Sequence, residues 1–122
     1  PTDVIKNWLN KTESNLACLP VIVKKNAPMI FREWKEGCKL TKGLLDLTVP
    51  QNDACELKPS LVIVPTLGFD SRNFRLGYGG GYYDRTLSTQ KSLNIGVCFH
   101  IGKVRELSVQ KHDVQLDFIL SG

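Results

Sequence analysis

The chain has 122 residues, of which 42% are hydrophobic and 23% charged, with a formal net charge of +4. That length suits one domain over 1–122 and not two well-formed ones, and the balance excludes disorder and low-complexity architecture. The longest charge-free apolar stretch, Pro59 to Phe69, is far short of the ~20 residues a membrane helix requires, so no membrane partner is expected.

The charge is local. Six cations (Lys24, Lys25, Arg32, Lys35, Lys39 and Lys42) face only Glu33 and Glu36 in one segment, and the remaining chain is neutral. Such a surplus is ordinarily a solvated face, and it can also steer an anionic small molecule. Without a recognition motif or a dense basic run, no nucleic-acid partner is expected. Cys18, Cys38, Cys55 and Cys98 show no CxxC spacing. They read as reduced, mostly buried thiols of a cytoplasmic protein.

In chain order, Val4, Ile5, Trp8 and Leu9 recur at helical spacing, with Thr2 available as a cap and Asp3 in the first turn. Leu16 to Val23 reads as a buried strand interrupted by Pro20. Met29, Phe31 and Trp34 suggest a second extended segment, while Gly43 to Pro50 is turn-bounded and ambiguous. Leu61 to Pro65 is a short β-branched run closed by proline, the pattern of a central strand covered on both faces. A long loop is expected from Thr66 to Gly81, a helix from about Tyr82 to Thr89, and strands over Asn94–Phe99 and Leu116–Leu120. Strands alternating with helices predict an α/β fold with an at least partly parallel sheet.

The segment from Arg75 to Arg85, RLGYGGGYYDR, is the densest chemical signal, with four glycines in five positions. After a buried strand and before a helix, such a loop lets backbone N–H groups approach a phosphate closely. Arg75 and Arg85 flank it with forked donors. It is neither of two familiar fingerprints: GxGxxG would require glycine at Tyr82, and no Gly-Lys-Ser/Thr ending exists. Asp84 is the natural Mg2+ ligand beside such a cradle, or else an ordinary first-turn acid. Asp113 offers a second carboxylate or a cap, and Asp70 reads as an Asx-turn residue.

At these residues a resemblance becomes specific. Pro65-Thr66-Leu67-Gly68-Phe69-Asp70, followed by the Arg75–Arg85 segment, is similar to the signature of the 5-formyltetrahydrofolate cyclo-ligase family. Weaker matches (Leu19-Pro20-Val21, Gly96-Val97 with Phe99, and His112-Asp113 with Leu116-Asp117) extend it along nearly the whole chain. The resemblance implies a three-layer α/β/α sandwich with a mostly parallel central sheet, of the NagB/RpiA/CoA-transferase-like type. It implies ATP-dependent closure of 5-formyltetrahydrofolate to 5,10-methenyltetrahydrofolate, with ADP and phosphate released, by a monomer. In that chemistry the formyl oxygen takes the γ-phosphoryl group and the folate's own N10 closes the ring, so the protein supplies no covalent nucleophile.

Residue by residue, the resemblance assigns ATP to Arg75, Leu76, Gly77, Tyr78, Gly79, Gly80, Gly81, Tyr82 and Tyr83. It places the folate along Tyr78, Gly79, Gly80, Gly81 and Tyr82, Mg2+ on Asp84 and Asp113, and catalytic roles on Arg75 and Tyr83. Trp34, with Met29 and Phe31, can wall a pterin pocket or serve as core. His100 and His112 carry no assigned role.

The chain departs from the family at Asn73, often glycine, and at Gly80, lysine in some members. It also starts at Pro1, after the family's first helix and strand, which are therefore expected to be missing. A non-catalytic nucleotide- or folate-binding paralogue is the alternative reading, and a structural domain whose glycine loop is only a turn is a further one.

Overall fold

A computed structural model of the chain describes residues 2–76, 80–98 and 113–121. The expectations for Gly77, Tyr78, Gly79, Phe99, His100 and His112 lie outside the described residues. The chain gathers into two compact units, Pro1–Lys24 with Met29–Lys58 and Lys25–Pro28 with Pro59–Gly122.

In the first unit the helical spacing at the start becomes α1 (Thr2–Leu9), with Asp3 in its first turn. Thr2 is thus the first helical residue rather than the cap before it. The helix's far end is closed by Asn15, whose Nδ2 donates to the Trp8 carbonyl at 2.8 Å. The strand expected over 16–23 is the shorter β1 (Ala17–Val21), antiparallel to β2 (Ile30–Trp34), which pairs in turn with β5 (Glu56–Leu57). Proline is tolerated in β1 because β1 is an edge: Pro20 stands opposite Phe31 and owes no N–H to a second neighbour. Val21, Met29, Phe31 and Val49 form the buried core of this unit.

The ambiguous stretch after Lys42 resolves into a hairpin of β3 (Leu40–Lys42) and β4 (Thr48–Pro50). Its turn includes a short 3-10 segment, Leu44–Asp46, and is closed by a 2.7 Å bond from Gly43 N–H to the Leu47 carbonyl. Leu45 and Asp46 both adopt φ of 57°, left-handed backbone that a non-glycine residue enters at a cost. No disulfide joins the four cysteines, and only Cys98 is buried while Cys55 is exposed, so the thiols are less buried than expected. Burial pushes the Cys18 thiol above its ordinary pKa.

The second unit holds the parallel pairing. Its strands are β6 (Leu61–Pro65), β9 (Leu93–Cys98) and β10 (Phe118–Ser121), in spatial order β10-β9-β6. Between β6 and β9 in sequence lie a short antiparallel hairpin, β7 (Gly68–Phe69) with β8 (Arg75–Leu76), and α2 (Tyr82–Leu87). Two-residue strands carry no readable periodicity, so the expected loop from Thr66 to Gly81 contains an unforeseen hairpin.

The expected parallel sheet forms among β6, β9 and β10, and every other described strand pair is antiparallel. Parallel strands need a long crossover, whereas hairpins pair antiparallel. Leu61–Pro65 was expected as a central strand covered on both faces, yet β6 lies at an edge of the described sheet. Val62 and Val64 are buried at 4% and 0% exposure, while Leu61 and Ile63 are 46% and 57% exposed. An all-apolar run reports that both faces are apolar, and it cannot report whether both are covered.

Candidate active site

The chemical signal concentrates where β8 leads into the glycine-rich segment and α2 leads out of it. The turn before β8 is built on Asp70, whose carboxylate Oδ1 accepts the N–H groups of Arg72 and Phe74 at 2.9 and 3.2 Å. The Asx turn expected there therefore forms, and Asn73 takes the left-handed φ of 64° that asparagine tolerates. Strand pairing of Phe69 with Arg75 then aims Arg75 out of the hairpin.

Arg75 packs its guanidinium over the Tyr83 ring, 5.3 Å from the centroid. Its Nε and Nη1 are buried and have no hydrogen-bond partner among the described residues. Buried charged donors left unpaired are costly, and a native fold that retains them generally does so for a ligand or an ordered water. Arg32 in β2 also has a buried, unpartnered Nε, but its Nη1 is anchored on the Ala54 carbonyl at 3.0 Å. Among the described residues only Arg75 has two such orphaned nitrogens.

Arg85, on the other flank, stacks over Tyr82 at the same 5.3 Å, and its Nη1 donates to the Gly80 carbonyl at 2.9 Å. The two glycines before α2 have different reasons to be there. Gly81 sits at φ 69°, where a side chain would be strained. A Cβ at Gly80 would fall 2.8 Å from the Tyr82 ring. That ring is fixed by Arg85 and by its hydroxyl, which accepts the Asn26 N–H at 3.4 Å. Any side chain at this position would therefore require Tyr82 to move. With only six residues, α2 offers a weak dipole.

Asp84, in the first turn of α2, accepts the Val114 N–H on Oδ1 at 3.2 Å. This bond brings the backbone next to Asp113 to the Asp84 carboxylate. No group of three or more His, Cys, Asp or Glu capable of holding a metal occurs among the described residues. Two carboxylates nonetheless suit Mg2+, which keeps several waters and phosphate oxygens as its remaining ligands. Asp70, Arg72 and Gln115 were not singled out for the site from the sequence, and only Asp70 carried a local signal, its turn position.

Gly77, Tyr78 and Gly79 lie outside the described residues, and Leu76 is exposed. Trp34 belongs to the first unit, and the Arg75–Arg85 segment to the second. Half-buried at the end of β2, Trp34 lines an open groove of about 290 Å³ with Lys6, Leu9, Leu16 and Lys35. Met29 and Phe31 are core residues, at 7% and 5% exposure.

Comparison with known proteins agrees with this arrangement. Residues 2–122 match the model of the 5-formyltetrahydrofolate cyclo-ligase family. A 5-formyltetrahydrofolate cyclo-ligase of Escherichia coli (strain K12) is 29% identical over 111 residues, covering 84% of this chain and 61% of the relative. The Mycoplasma pneumoniae enzyme of the same name is 39% identical over 61 residues, covering 48% of this chain and 37% of the relative. The solution structure of the Aquifex aeolicus 5,10-methenyltetrahydrofolate synthetase superposes with a TM-score of 0.75 at 26% identity, covering 98% of this chain and 60% of that one. The chain thus spans less than two-thirds of each of these relatives. A family match over nearly every residue, a solved fold that superposes on it and a glycine loop flanked as described lead to one conclusion: the chain belongs to the 5-formyltetrahydrofolate cyclo-ligase family.

Proposed function

We propose that the protein carries the nucleotide site of an ATP- and Mg2+-dependent 5-formyltetrahydrofolate cyclo-ligase, acting as a single domain and a monomer. The observation that carries this reading is Arg75, with two buried guanidinium nitrogens that have no partner among the described residues, beside a glycine-rich segment. These donors suit the γ-phosphoryl oxygens, and the peptide N–H groups of residues 76–83 suit the rest of the polyphosphate. Tyr83, beneath the guanidinium, holds Arg75 in its orientation.

The formyl oxygen attacks the γ-phosphorus and ADP leaves; N10 then attacks the formyl carbon, forming the new C–N bond as phosphate departs. Positioning and charge neutralisation are what such a phosphoryl transfer asks of a protein, and Arg75 supplies the cation. Asp84 and Asp113 would hold Mg2+, whose charge offsets that of the phosphates. The folate is assigned to residues 78–82 and, separately, to Trp34, and the fold is assigned to the three-layer α/β/α sandwiches of the NagB/RpiA/CoA-transferase-like type. Four cysteines with no disulfide among them suit a reducing compartment such as the cytoplasm.

The test combines the purified protein with 5-formyltetrahydrofolate, ATP and magnesium, and follows methenyl-product absorbance. In parallel, millimolar ATP should raise the melting temperature, since a ligand that binds only the native state stabilises it. Product formation that disappears in Arg75→Ala supports the reading. Absence of both product and thermal shift overturns it.

A further inference from the structure

Behind Arg75 lies a set of contacts that the chemistry above does not use. Asp70 is a carboxylate at 0% exposure. Besides the two N–H groups on Oδ1, its Oδ2 accepts the Nε and Nη2 of Arg72 at 3.2 and 2.8 Å. The backbone closes on itself around this pair: Asn73 N–H donates to the Asp70 carbonyl and Asp70 N–H to the Phe74 carbonyl, both at 3.1 Å. Arg72 also lies over the Phe74 ring, at 5.1 Å. A bidentate ion pair on a buried carboxylate makes the turn a rigid block, and Arg75 is the next residue out of it.

The same block is tied to the segment that carries Asp113. Gln115 Nε2 donates to the Arg72 carbonyl at 2.6 Å, and Leu116 N–H donates to the Asn73 carbonyl at 3.0 Å. Leu116 itself is a core residue at 2% exposure. At one end of this segment Val114 N–H reaches Asp84. At the other end Asp117 and the first residues of β9 are doubly bonded, Asn94 N–H to the Asp117 carboxylate at 2.8 Å and Asp117 N–H to the Asn94 carbonyl at 2.9 Å. A continuous line of hydrogen bonds therefore runs from the Arg75 hairpin, through Arg72 and Gln115, to the Asp113 segment and Asp84.

Gln115 is the informative member because its side chain is exposed. An exposed amide contributes little to the stability of a fold, since water replaces its hydrogen bond readily. Its short bond to a backbone carbonyl instead fixes the register between two chain segments.

We propose that Gln115 is a positioning residue: through Arg72 and the Asp70 turn it sets Arg75 against the Asp84–Asp113 carboxylates, so that binding of a divalent cation and of a polyphosphate reinforce each other. The proposal rests on the assignment of ATP to Arg75 and of Mg2+ to the two aspartates. Coupling of this kind is reciprocal and typically amounts to about 5- to 150-fold in affinity.

The test is calorimetric titration of the full chain with ATP, in magnesium and separately in EDTA. The wild-type protein should bind ATP about tenfold more tightly in magnesium. Gln115→Met keeps the length of the side chain and removes the donor. It should lower that ratio to about twofold, with the EDTA affinity and the melting temperature near wild type. Gln115→Glu, which presents a carboxylate to the Arg72 carbonyl, should do the same. Asp70→Asn should reduce the ratio too, together with the melting temperature, because the charge facing Arg72 is gone. An unchanged ratio in both Gln115 variants overturns the positioning role while leaving the nucleotide site standing. A wild-type chain that binds no ATP in either buffer overturns the site assignment, and this proposal with it.

Discussion

Two arginines flank the same glycine-rich segment, each 5.3 Å from a tyrosine ring, and their remaining donors go to different ends. Arg85 gives its Nη1 to the Gly80 carbonyl and so braces the loop it borders. Arg75 keeps Nε and Nη1 buried and unpartnered among the described residues. Identical chemistry and near-identical stacking thus separate into a brace and a receptor. What distinguishes a binding cation from a structural one is not its charge or its aromatic neighbour but which donors remain unused after folding.

Removing each arginine should therefore have opposite signatures. The largest effect is expected from Arg75→Met, which should lower kcat/KM for ATP by about 10²–10³-fold, the usual consequence of losing a preorganised donor to developing negative charge. The same substitution should leave thermal stability unchanged or raise it by about 1 kcal/mol, because it removes buried donors that no described residue satisfies. Steady-state kinetics and calorimetric melting on one preparation would show both. Lost activity accompanied by a large loss of stability would make Arg75 a brace as well, and the contrast would fail.

Asp84→Asn sharpens the comparison from the carboxylate side. The amide oxygen can still accept the Val114 N–H, so the fold should hold, while activity falls about 10²-fold and the dependence on magnesium flattens. A magnesium titration of initial rates reads this directly. Next comes Asp70→Asn, expected to cost about 2 kcal/mol by removing the charge that faces the Arg72 guanidinium, measured by urea denaturation. The smallest effect is expected from Arg85→Met: about 1 kcal/mol of stability and no more than about threefold in ATP affinity, the loss of one backbone hydrogen bond and one ring contact. Equal affinity losses in the Arg75 and Arg85 variants would erase the distinction between them.

Much of this was legible in the residues. The apolar β-branched run at Leu61–Pro65 and the segment at Asn94–Phe99 announced strands, and both form nearly where expected. The glycine loop and its flanking arginines were conspicuous because their spacing is local. The division of labour between those arginines was not, since whether a donor finds a partner is settled by folding. Asp70 showed only its turn position, and its complete burial under the Arg72 guanidinium has no sequence signature. Gln115 gave no sign at all: its partner, Arg72, is 43 residues away, and a polar side chain at an exposed position looks like any other. The exposed side of β6 was missed for a related reason, as composition describes a surface and not what lies against it.

The close approach between Gly80 and the Tyr82 ring has an evolutionary consequence. A lysine at position 80 would need the space that this chain gives to an aromatic ring. The two solutions are mutually exclusive as long as Tyr82 keeps its bond from Asn26 and its stack with Arg85. Positions 80 and 82 therefore form an epistatic pair. A lysine introduced alone at 80 meets a pinned ring, whereas the same lysine becomes acceptable once Asn26 or Arg85 releases its hold. A lineage that crosses between the two states must first loosen the tyrosine and only then gain the charge.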